Sequence, residues 1–295
     1  MPRSGGRYRG RVLGTGWTEA VALAAAFGIA LLATPAGISG AVLLLPFQVS
    51  VLGTPSPAVT PTNLLYNVVA TPGALYRYWR QGQAGGTLAW LLIAGTLPGV
   101  VAGSIIRVEF LPSPRVFDLV VAAVLLPLGS WLALTRPAVV PVPARDPAGE
   151  PAGDPAGGAP AARPRRPLPR PVLIAAAAAV GCVGGIYGIG GGSILAPVLI
   201  GTGRPPSEVA PAALASTFVT SVAGVVTFTV LSLHHSGPVA PDWPTGIALG
   251  AGGLAGSYAG ARIQSRLPDG LIRRLVGILV AAIACRYLWS GLARG

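Results

Sequence analysis

The chain has 295 residues, of which 52% are hydrophobic and only 10% are charged. A typical soluble domain carries about a quarter charged residues, so this composition excludes an ordinary soluble protein. The formal net charge is +12, and every basic residue is arginine. The arginines lie at the edges of apolar blocks and in one linker, which argues against nucleic acid as a partner and favours charges that set membrane topology.

Long apolar blocks indicate a polytopic membrane protein. No aspartate, glutamate or arginine occurs between Glu19 and Arg77, from Pro171 to Gly203, or from Val209 to Leu233. A membrane-spanning helix needs about 20 mostly apolar residues, so each block is long enough to span. The sequence therefore predicts an all-α, multi-pass protein of the bacterial inner (plasma) membrane. The first apolar run lacks a convincing cleavage site and is expected to be retained as a span.

The chain divides into a basic N-terminal tail (1–16), a first transmembrane half (17–135), a linker (136–170) and a second half (171–295). The linker is rich in Pro, Ala, Gly and Arg and is predicted to be disordered because this composition cannot form a core. GISGAVLLLP in the first half matches GIGGGSILAP in the second, and three further matches follow in the same order. An internal duplication is common in transporters.

Each half is predicted to contain four spans, and therefore eight in total. They lie near 17–50, 60–79, 86–107 and 115–135, and near 171–201, 208–233, 243–264 and 270–290. The first span of each half is too long for one straight crossing, so we expect a broken or kinked helix with a re-entrant piece. An even number of spans predicts parallel halves with a cytoplasmic N-terminus, although the arginines around Arg262 then lie on the wrong side.

GIGGGSILAP, Gly188 to Pro197, has two interpretations. A dinucleotide-binding loop needs G-x-G-x-x-G, and the sixth position here is Ser193, so that pattern fails. GAGGLA, from Gly250, matches a looser form, but the spacing of Gly252, Gly256 and Gly260 favours close helix packing. The remaining interpretation is a membrane helix broken by glycine, with Pro46 and Pro197 marking the helix breaks of the two halves.

Broken helices at matching places in two repeats point to a transport site, and the alternative is that the glycines only permit close helix crossing. Polar side chains of the second spans, such as Asn63 and Asn67 four residues apart, are expected to line the path or to join helices. The residues predicted to bind substrate are Gly37, Ser39, Gly40, Asn63, Asn67, Gly188, Gly190, Gly191, Gly192, Ser193, Ser216 and Thr217.

Charged groups inside the spans are scarce. Glu19 and Arg107 lie near span ends, where we expect their side chains to snorkel towards the interface. Cys182 and Cys285 indicate neither a disulfide framework nor a metal site. The sequence shows no catalytic set of residues, no metal-binding cluster and no cofactor motif, so an enzyme is not expected.

Motifs of the second half, from GIGGGSILAPVLI through SEVAPAALASTFVTSVAGVV to GAGGLAGSYAGARIQSRLPDG, resemble the TauE/SafE family of sulfite exporters. The first half resembles the family more faintly, through GISGAVLLLP and LPGVVAGS. The resemblance implies an eight-span secondary carrier with two similar halves. It implies transport of small anions or sulfur compounds such as sulfite and sulfonates. Ser39 and Ala41 replace glycines of the second-half motif, so the two breaks are not chemically equivalent.

The sequence therefore predicts a secondary transporter of a small anion or sulfur compound, of the sulfite or organosulfonate type, working in export. The expected partners are the lipid bilayer and this anionic substrate, and a homo-oligomer is left open. The alternative is a non-transporting membrane subunit or scaffold, which would use the same glycines only for packing.

Overall fold

All secondary-structure elements in the described part of the chain are helices. The structure, a computed structural model, describes residues 16–54, 58–83, 86–111, 170–201, 204–235 and 237–266, with scattered positions between 119 and 130 and between 278 and 292. The helices are α1 (Gly16–Ala33), α2 (Ala41–Ser50), α3 (Val59–Arg80), α4 (Gly86–Glu109), α5 (Arg170–Tyr187), α6 (Gly192–Gly201), α7 (Pro206–Ser232) and α8 (Trp243–Ile263), with 3₁₀ turns at Thr34–Ala36 and Gln264–Arg266.

The helices α3, α4, α7 and α8 correspond to four of the predicted spans. Among the described residues, Gly86–Glu109 and Ser207–Ser232 are long and apolar enough to cross a membrane. Only scattered helical positions of the predicted spans at 115–135 and 270–290 are described, and nearly all of the tail and of the linker lies outside the described residues.

Both predicted interruptions are present, and glycine makes them. Gly37 and Gly188 adopt the left-handed conformation, with φ of 71° and 79°, which side chains with a Cβ rarely adopt. Helix α2 follows the first break and α6 the second. The prediction that Pro46 and Pro197 mark the breaks is wrong, because each is the sixth residue of its short helix. The chain has already left and re-entered helical geometry before either proline.

Helices α1, α3 and α8 run in the same direction. Along α8, Gly246 packs on Leu65 of α3, and further along Ser257 Oγ donates to Ala70 O at 2.6 Å. At the far ends, Tyr78 Oη donates to Gln264 Oε1 at 2.8 Å. The contacts between α1 and α8 advance in the same sense, from Leu23 with Gly252 to Leu31 with Gly260. We call the side where α1, α3 and α8 begin face A, and the opposite side face B.

Helices α4, α5 and α7 run the other way. Leu64 of α3 packs on Gly224, while Tyr78 lies in one cluster with Ala210, so α7 is antiparallel to α3. Along α4, successive glycines contact residues further and further along α5, so α5 runs parallel to α4. Thr96 near the middle of α4 contacts Ser216 of α7, and Val108 near its end lies in a cluster with Phe228. These three helices therefore begin at face B.

The short helices α2 and α6 turn back. Ser39 contacts Asn67 of α3, and Gln48 contacts Asn63, so α2 returns towards face A against the direction of α3. In the same way, Gly190 packs against Thr217, and Leu199 lies in one cluster with Val209, so α6 returns towards face B. Each predicted first span is thus a re-entrant hairpin. We call them the first hairpin (16–50) and the second hairpin (170–201).

The two halves are inverted, and the predicted parallel arrangement is wrong. Helices α1, α3 and α4 have α5, α7 and α8 as their repeat counterparts, and each pair runs in opposite directions. Within each half, the hairpin adds one change of chain direction. The number of direction changes per half is then odd, so the second half is oriented in the membrane opposite to the first. Inverted repeats related by an axis in the membrane plane are a known architecture of secondary transporters.

The glycine stripe of α8 packs against α1, as the spacing predicts. A Cβ added at Gly252, Gly256 or Gly260 would meet the carbonyl oxygens of Leu23, Phe27 or Leu31. Small residues at such crossings let two helix backbones approach closely. The counterpart contact in the other half is made by α4 on α5, where Gly99 and Gly103 lie against the backbone of Cys182 and its neighbours.

Inverted topology predicts which loops share a face of the membrane. In a Cys182→Ala, Cys285→Ala background, Gln83→Cys and Arg204→Cys should be labelled by an impermeant thiol reagent from the same side, and His234→Cys from the other. Right-side-out and inverted membrane vesicles provide the two sides. Labelling of positions 83 and 204 from opposite sides would restore the parallel arrangement.

The glycine stripe predicts unequal effects of one extra methyl group. Gly256→Ala should destabilise the protein by about 1–3 kcal/mol because its Cβ would collide with the α1 backbone. Gly28→Ala is the matched control, because an added Cβ there has nothing within 4 Å. Its effect should be neutral or stabilising by up to about 1 kcal/mol. Thermal unfolding in detergent measures both, and equal losses of stability would contradict the packing role.

Candidate functional site

The two hairpins meet at the centre of the molecule. The backbone N–H of Ser39, just before α2, donates to Ser193 Oγ in the first turn of α6 at 3.1 Å. Helix α2 runs from this point towards face A and α6 towards face B. The N-termini of both short helices therefore converge where the two halves touch.

Hydroxyl and amide groups surround this point. We call them the central polar cluster: Ser39, Asn67, Thr96, Ser193, Ser216, Thr217, Thr220 and Ser221, all of which are buried. In the first half, Ser39 Oγ donates to Asn67 Oδ1 and accepts from the N–H of Ala41 at 3.1 Å. The Nδ2 group of Asn67 has no hydrogen-bond partner within the described part of the chain. A buried donor without a partner is costly, and a bound acceptor would satisfy it.

The second half supplies hydroxyls and a glycine backbone. Ser193 Oγ lies 3.3 Å from Thr217 Oγ1, and the N–H of Gly191 donates to Thr220 Oγ1 at 3.4 Å. Next to them, the Oγ atom of Ser221 is buried and lacks a partner among the residues described. Gly190 packs close to both Thr217 and Ser221, so the glycine segment lies directly against these hydroxyls.

Thr96 was missed in the sequence. It comes from α4, and its Oγ1 lies 2.9 Å from Ser216 Oγ. A Cβ added at Gly191 would lie 2.5 Å from Thr96 Cβ, so this glycine is required for packing as well as for backbone access. The sequence carried no signal for Thr96, because hydropathy does not distinguish it from other hydroxyl residues in apolar helices, such as Ser104 of the same helix.

The predicted residues separate into two groups. Those brought to the central polar cluster are Ser39, Asn67, Gly190, Gly191, Gly192, Ser193, Ser216 and Thr217. Gly37 and Gly188 lie instead at the hairpin turns, against Ala210 and Thr60 respectively. Gly40 packs closely against the Tyr66 ring hydroxyl, with an added Cβ at 2.5 Å from it.

Asn63 belongs to a separate network that holds α2 on α3. Its Nδ2 donates to Ala41 O at 2.9 Å, and its Oδ1 accepts from Gln48 Nε2 at 2.9 Å. The carbonyl oxygen of Ala41 can only accept, which fixes the orientation of the Asn63 amide and then of the Gln48 amide. Gln48 Oε1 is left buried without a partner in the described part of the chain. Asn63 therefore holds α2 against α3.

The electrostatics of the cluster come from dipoles. Its eight side chains are uncharged, whereas a helix N-terminus carries roughly half a positive charge. Two such termini meet here, and both point inward from helices ten residues long. The arrangement can attract an anion and donate hydrogen bonds to it without a permanent charge. Groups of three or more His, Cys, Asp or Glu side chains suited to a metal are absent among the described residues.

The expectation that Arg107 snorkels is wrong. Its side chain is fully buried at the end of α4. There its Nε donates to Thr60 Oγ1 at 3.4 Å, and its Nη1 donates to Leu111 O. A permanent positive charge therefore does lie inside the protein, beside the turn of the second hairpin at Gly188.

Comparison with known proteins finds membrane transporters. A probable membrane transporter protein of Bacillus subtilis, YunE, is 32% identical over 120 residues, which is 40% of this chain and 41% of the relative. A probable membrane transporter protein of Xylella fastidiosa is 28% identical over 122 residues, covering 40% and 44% of the two chains. The matched part is thus about two fifths of each relative's length. No solved structure matches the chain.

The sulfite exporter TauE/SafE family matches residues 22–287, which is most of the chain and includes all of the second hairpin and the first hairpin from residue 22 onward. This is a family of membrane transporters and not of enzymes. The chain belongs to the TauE/SafE family of sulfite exporters.

Proposed function

We propose that the protein is a secondary carrier that moves a small anion across the bacterial plasma membrane through the central polar cluster. The observation that carries the proposal is the convergence of two interrupted-helix N-termini on a buried cluster with unpartnered polar atoms. Half-helix N-termini near the membrane midplane, at the interface of two repeats, are used by transporters to hold anionic groups.

The unpartnered groups favour a hydrogen-bond acceptor as the ligand. Asn67 Nδ2 can only donate, and the hydroxyl of Ser221 can donate when an acceptor is present. An oxyanion offers several acceptor oxygens to such donors. A water molecule could also bind them, but the two converging helix dipoles favour a negative charge over a neutral molecule.

The uncharged lining suits a carrier better than a tight binding protein. A fixed arginine or lysine at the cluster would hold an anion strongly and slow its release. Backbone dipoles and hydroxyls stabilise the anion and leave its binding weak enough for turnover. The nearest buried cation described, Arg107, lies at the second-hairpin turn instead, where it contacts Thr60.

We infer the substrate class and direction from the family. Sulfite or a small organosulfonate carries the acceptor oxygens and negative charge that the cluster fits, and the family's description favours export. The carrier would have two inverted halves, each with a re-entrant hairpin and two long helices. The predicted spans at 115–135 and 270–290 would bring the total to six full crossings and two re-entrant hairpins, in place of the eight full spans expected from the sequence.

Purified protein in proteoliposomes tests the function directly. Radiolabelled sulfite placed outside should enter the vesicles faster than into protein-free vesicles, with saturation, and unlabelled sulfonates should compete. Flux by the purified chain supports a carrier. Absence of flux across sulfite, sulfonates and other small oxyanions, with correctly folded protein, would favour the non-transporting subunit.

Asn67→Asp tests the role of the unpartnered Nδ2 donor of Asn67. The substitution keeps an oxygen that accepts from Ser39 Oγ but replaces the donor Nδ2 with a second acceptor. Anion flux at limiting substrate should fall at least about tenfold, which corresponds to roughly 1.4 kcal/mol. Flux is measured at matched amounts of reconstituted protein, with thermal stability checked separately.

Thr227→Val is the matched control for that variant. Thr227 lies further along α7, where its hydroxyl donates to Ala223 O within the same helix. Its flux should stay within about twofold of the original protein. Equal flux in Asn67→Asp and the original protein would show that the anion does not pass Asn67.

A further inference from the structure

At face A, side chains of two helices hold the turn of the second hairpin. Thr60 Oγ1, at the start of α3, donates to Ile186 O at 3.2 Å. Arg107 Nε, at the end of α4, donates to the same Thr60 oxygen at 3.4 Å. The backbone of Thr60 also packs against Gly188, the left-handed glycine of this turn. We call Thr60, Arg107 and Ile186 the face A clamp.

At face B, an equivalent set holds the turn of the first hairpin. Gln264 Nε2, just beyond α8, donates to Pro35 O at 2.8 Å. Tyr78 Oη, near the end of α3, donates to Gln264 Oε1 at 2.8 Å. Because Pro35 O can only accept and Tyr78 lies ready to donate, the orientation of the Gln264 amide is fixed. We call Tyr78, Gln264 and Pro35 the face B clamp.

The repeat relates the two clamps. Pro35 and Ile186 occupy the same repeat position, two residues before Gly37 and Gly188, the left-handed glycines of their turns. In each case the backbone carbonyl of that residue accepts a bond from a side chain outside the hairpin. The side chains differ: a neutral amide held by a tyrosine at face B, and a hydroxyl held by a buried arginine at face A. The central polar cluster lies between the two clamps.

We propose that the two clamps are the gates of the carrier, each closing the route from its own face to the central polar cluster. This inference rests on the proposed function, and it deepens it by naming the residues that close each side. Release of Pro35 O would free the first hairpin turn and open face B. Release of Ile186 O would free the second and open face A.

The fold favours movement at these turns. Each turn is linked to its helix by a glycine with positive φ, and each short helix after it is only ten residues long. A clamp made of one or two hydrogen bonds contributes little enough that a ligand can reverse the balance. Alternating access requires that the two faces open separately, and clamps on different hairpins permit it.

Cysteine accessibility tests the gates without any substrate. The reporter is Ser221→Cys, a buried position in the cluster, in a Cys182→Ala, Cys285→Ala background. Gln264→Met removes the amide at nearly constant volume and should raise the labelling rate from face B by roughly two- to tenfold, the effect of one hydrogen bond. Thr60→Val should raise labelling from face A by a similar factor. Neither should raise labelling from the opposite face.

Matched controls change glutamates that contact a side chain near the same faces. Glu208→Gln removes the ion pair with Arg204 at face B, and Glu109→Gln neutralises the carboxylate that contacts His235 Nε2 at face A. Both should leave the labelling rates unchanged. A rise from both faces in one clamp variant, a rise in the controls, or no change in either clamp variant would overturn the gates. Thermal stability of each variant separates a general loosening from gate opening.

Measuring anion flux beside cysteine labelling distinguishes failure of the gates from failure of the proposed function. Face-specific labelling in protein that moves no anion would mean that the gates serve a different solute, and the anion proposal would fail alone. Anion flux by the original protein, with labelling insensitive to both clamp variants, would overturn the gates and leave the carrier standing.

Discussion

The structure depends on one constraint: backbone that leaves a helix inside a membrane must still be hydrogen-bonded or must line a polar site. The chain breaks twice, at 34–40 and at 188–191, and both breaks are enclosed by helices. The polar groups around them follow from this need. Ser39 Oγ accepts from the N–H of Ala41 at the start of α2, and Ser193 Oγ accepts from the N–H of Ser39 in the first break. The hydroxyls of α7 lie against the glycines of the second break. A site for an anion therefore arises where the fold already needs donors and acceptors.

The breaks also decide the relation of the two halves. A hydropathy pattern records how much apolar chain there is, and the stretch 17–50 is too long for one crossing. It does not record direction, so one kinked span and a hairpin give the same pattern. One kinked span would make the two halves parallel, whereas a hairpin makes them inverted. Only the contacts of α2 with α3, such as Gln48 with Asn63, distinguish them.

Sequence reasoning succeeded where information is local and periodic. Apolar blocks predicted the spans, and glycine-rich interruptions at matching repeat positions predicted the breaks around Gly37 and Gly188. The four-residue spacing of glycines predicted the packing stripe of α8. It failed where a role depends on tertiary neighbours. Thr96 joins the cluster because α4 crosses α7, and Arg107 is buried because α4 ends against Thr60. Asn63 has the same side chain as Asn67 and lies one helical turn away, yet its Oδ1 is already hydrogen-bonded to Gln48.

Inversion removes a conflict in the arginine distribution. With parallel halves, the arginines near Arg262 lie opposite those at Arg77 and Arg80. Because both hairpins are re-entrant, the chain reaches face B at the ends of α3 and α8 and at the start of α7. The described arginines there are Arg77, Arg80, Arg204, Arg262 and Arg266.

Face A shows the opposite balance. Its described ends carry Glu109 and Asp242, and its arginine, Arg107, is buried in a clamp instead of facing the interface. The Arg-rich linker also leads into α5 at face B, which outweighs the four arginines that precede α1 in the sequence. The positive-inside rule favours a cytoplasmic face B, which differs from the cytoplasmic N-terminus expected for parallel halves because α1 begins at face A. An exporter would load its anion from that side, past the neutral Gln264 and Tyr78, and release it past Thr60 and Arg107.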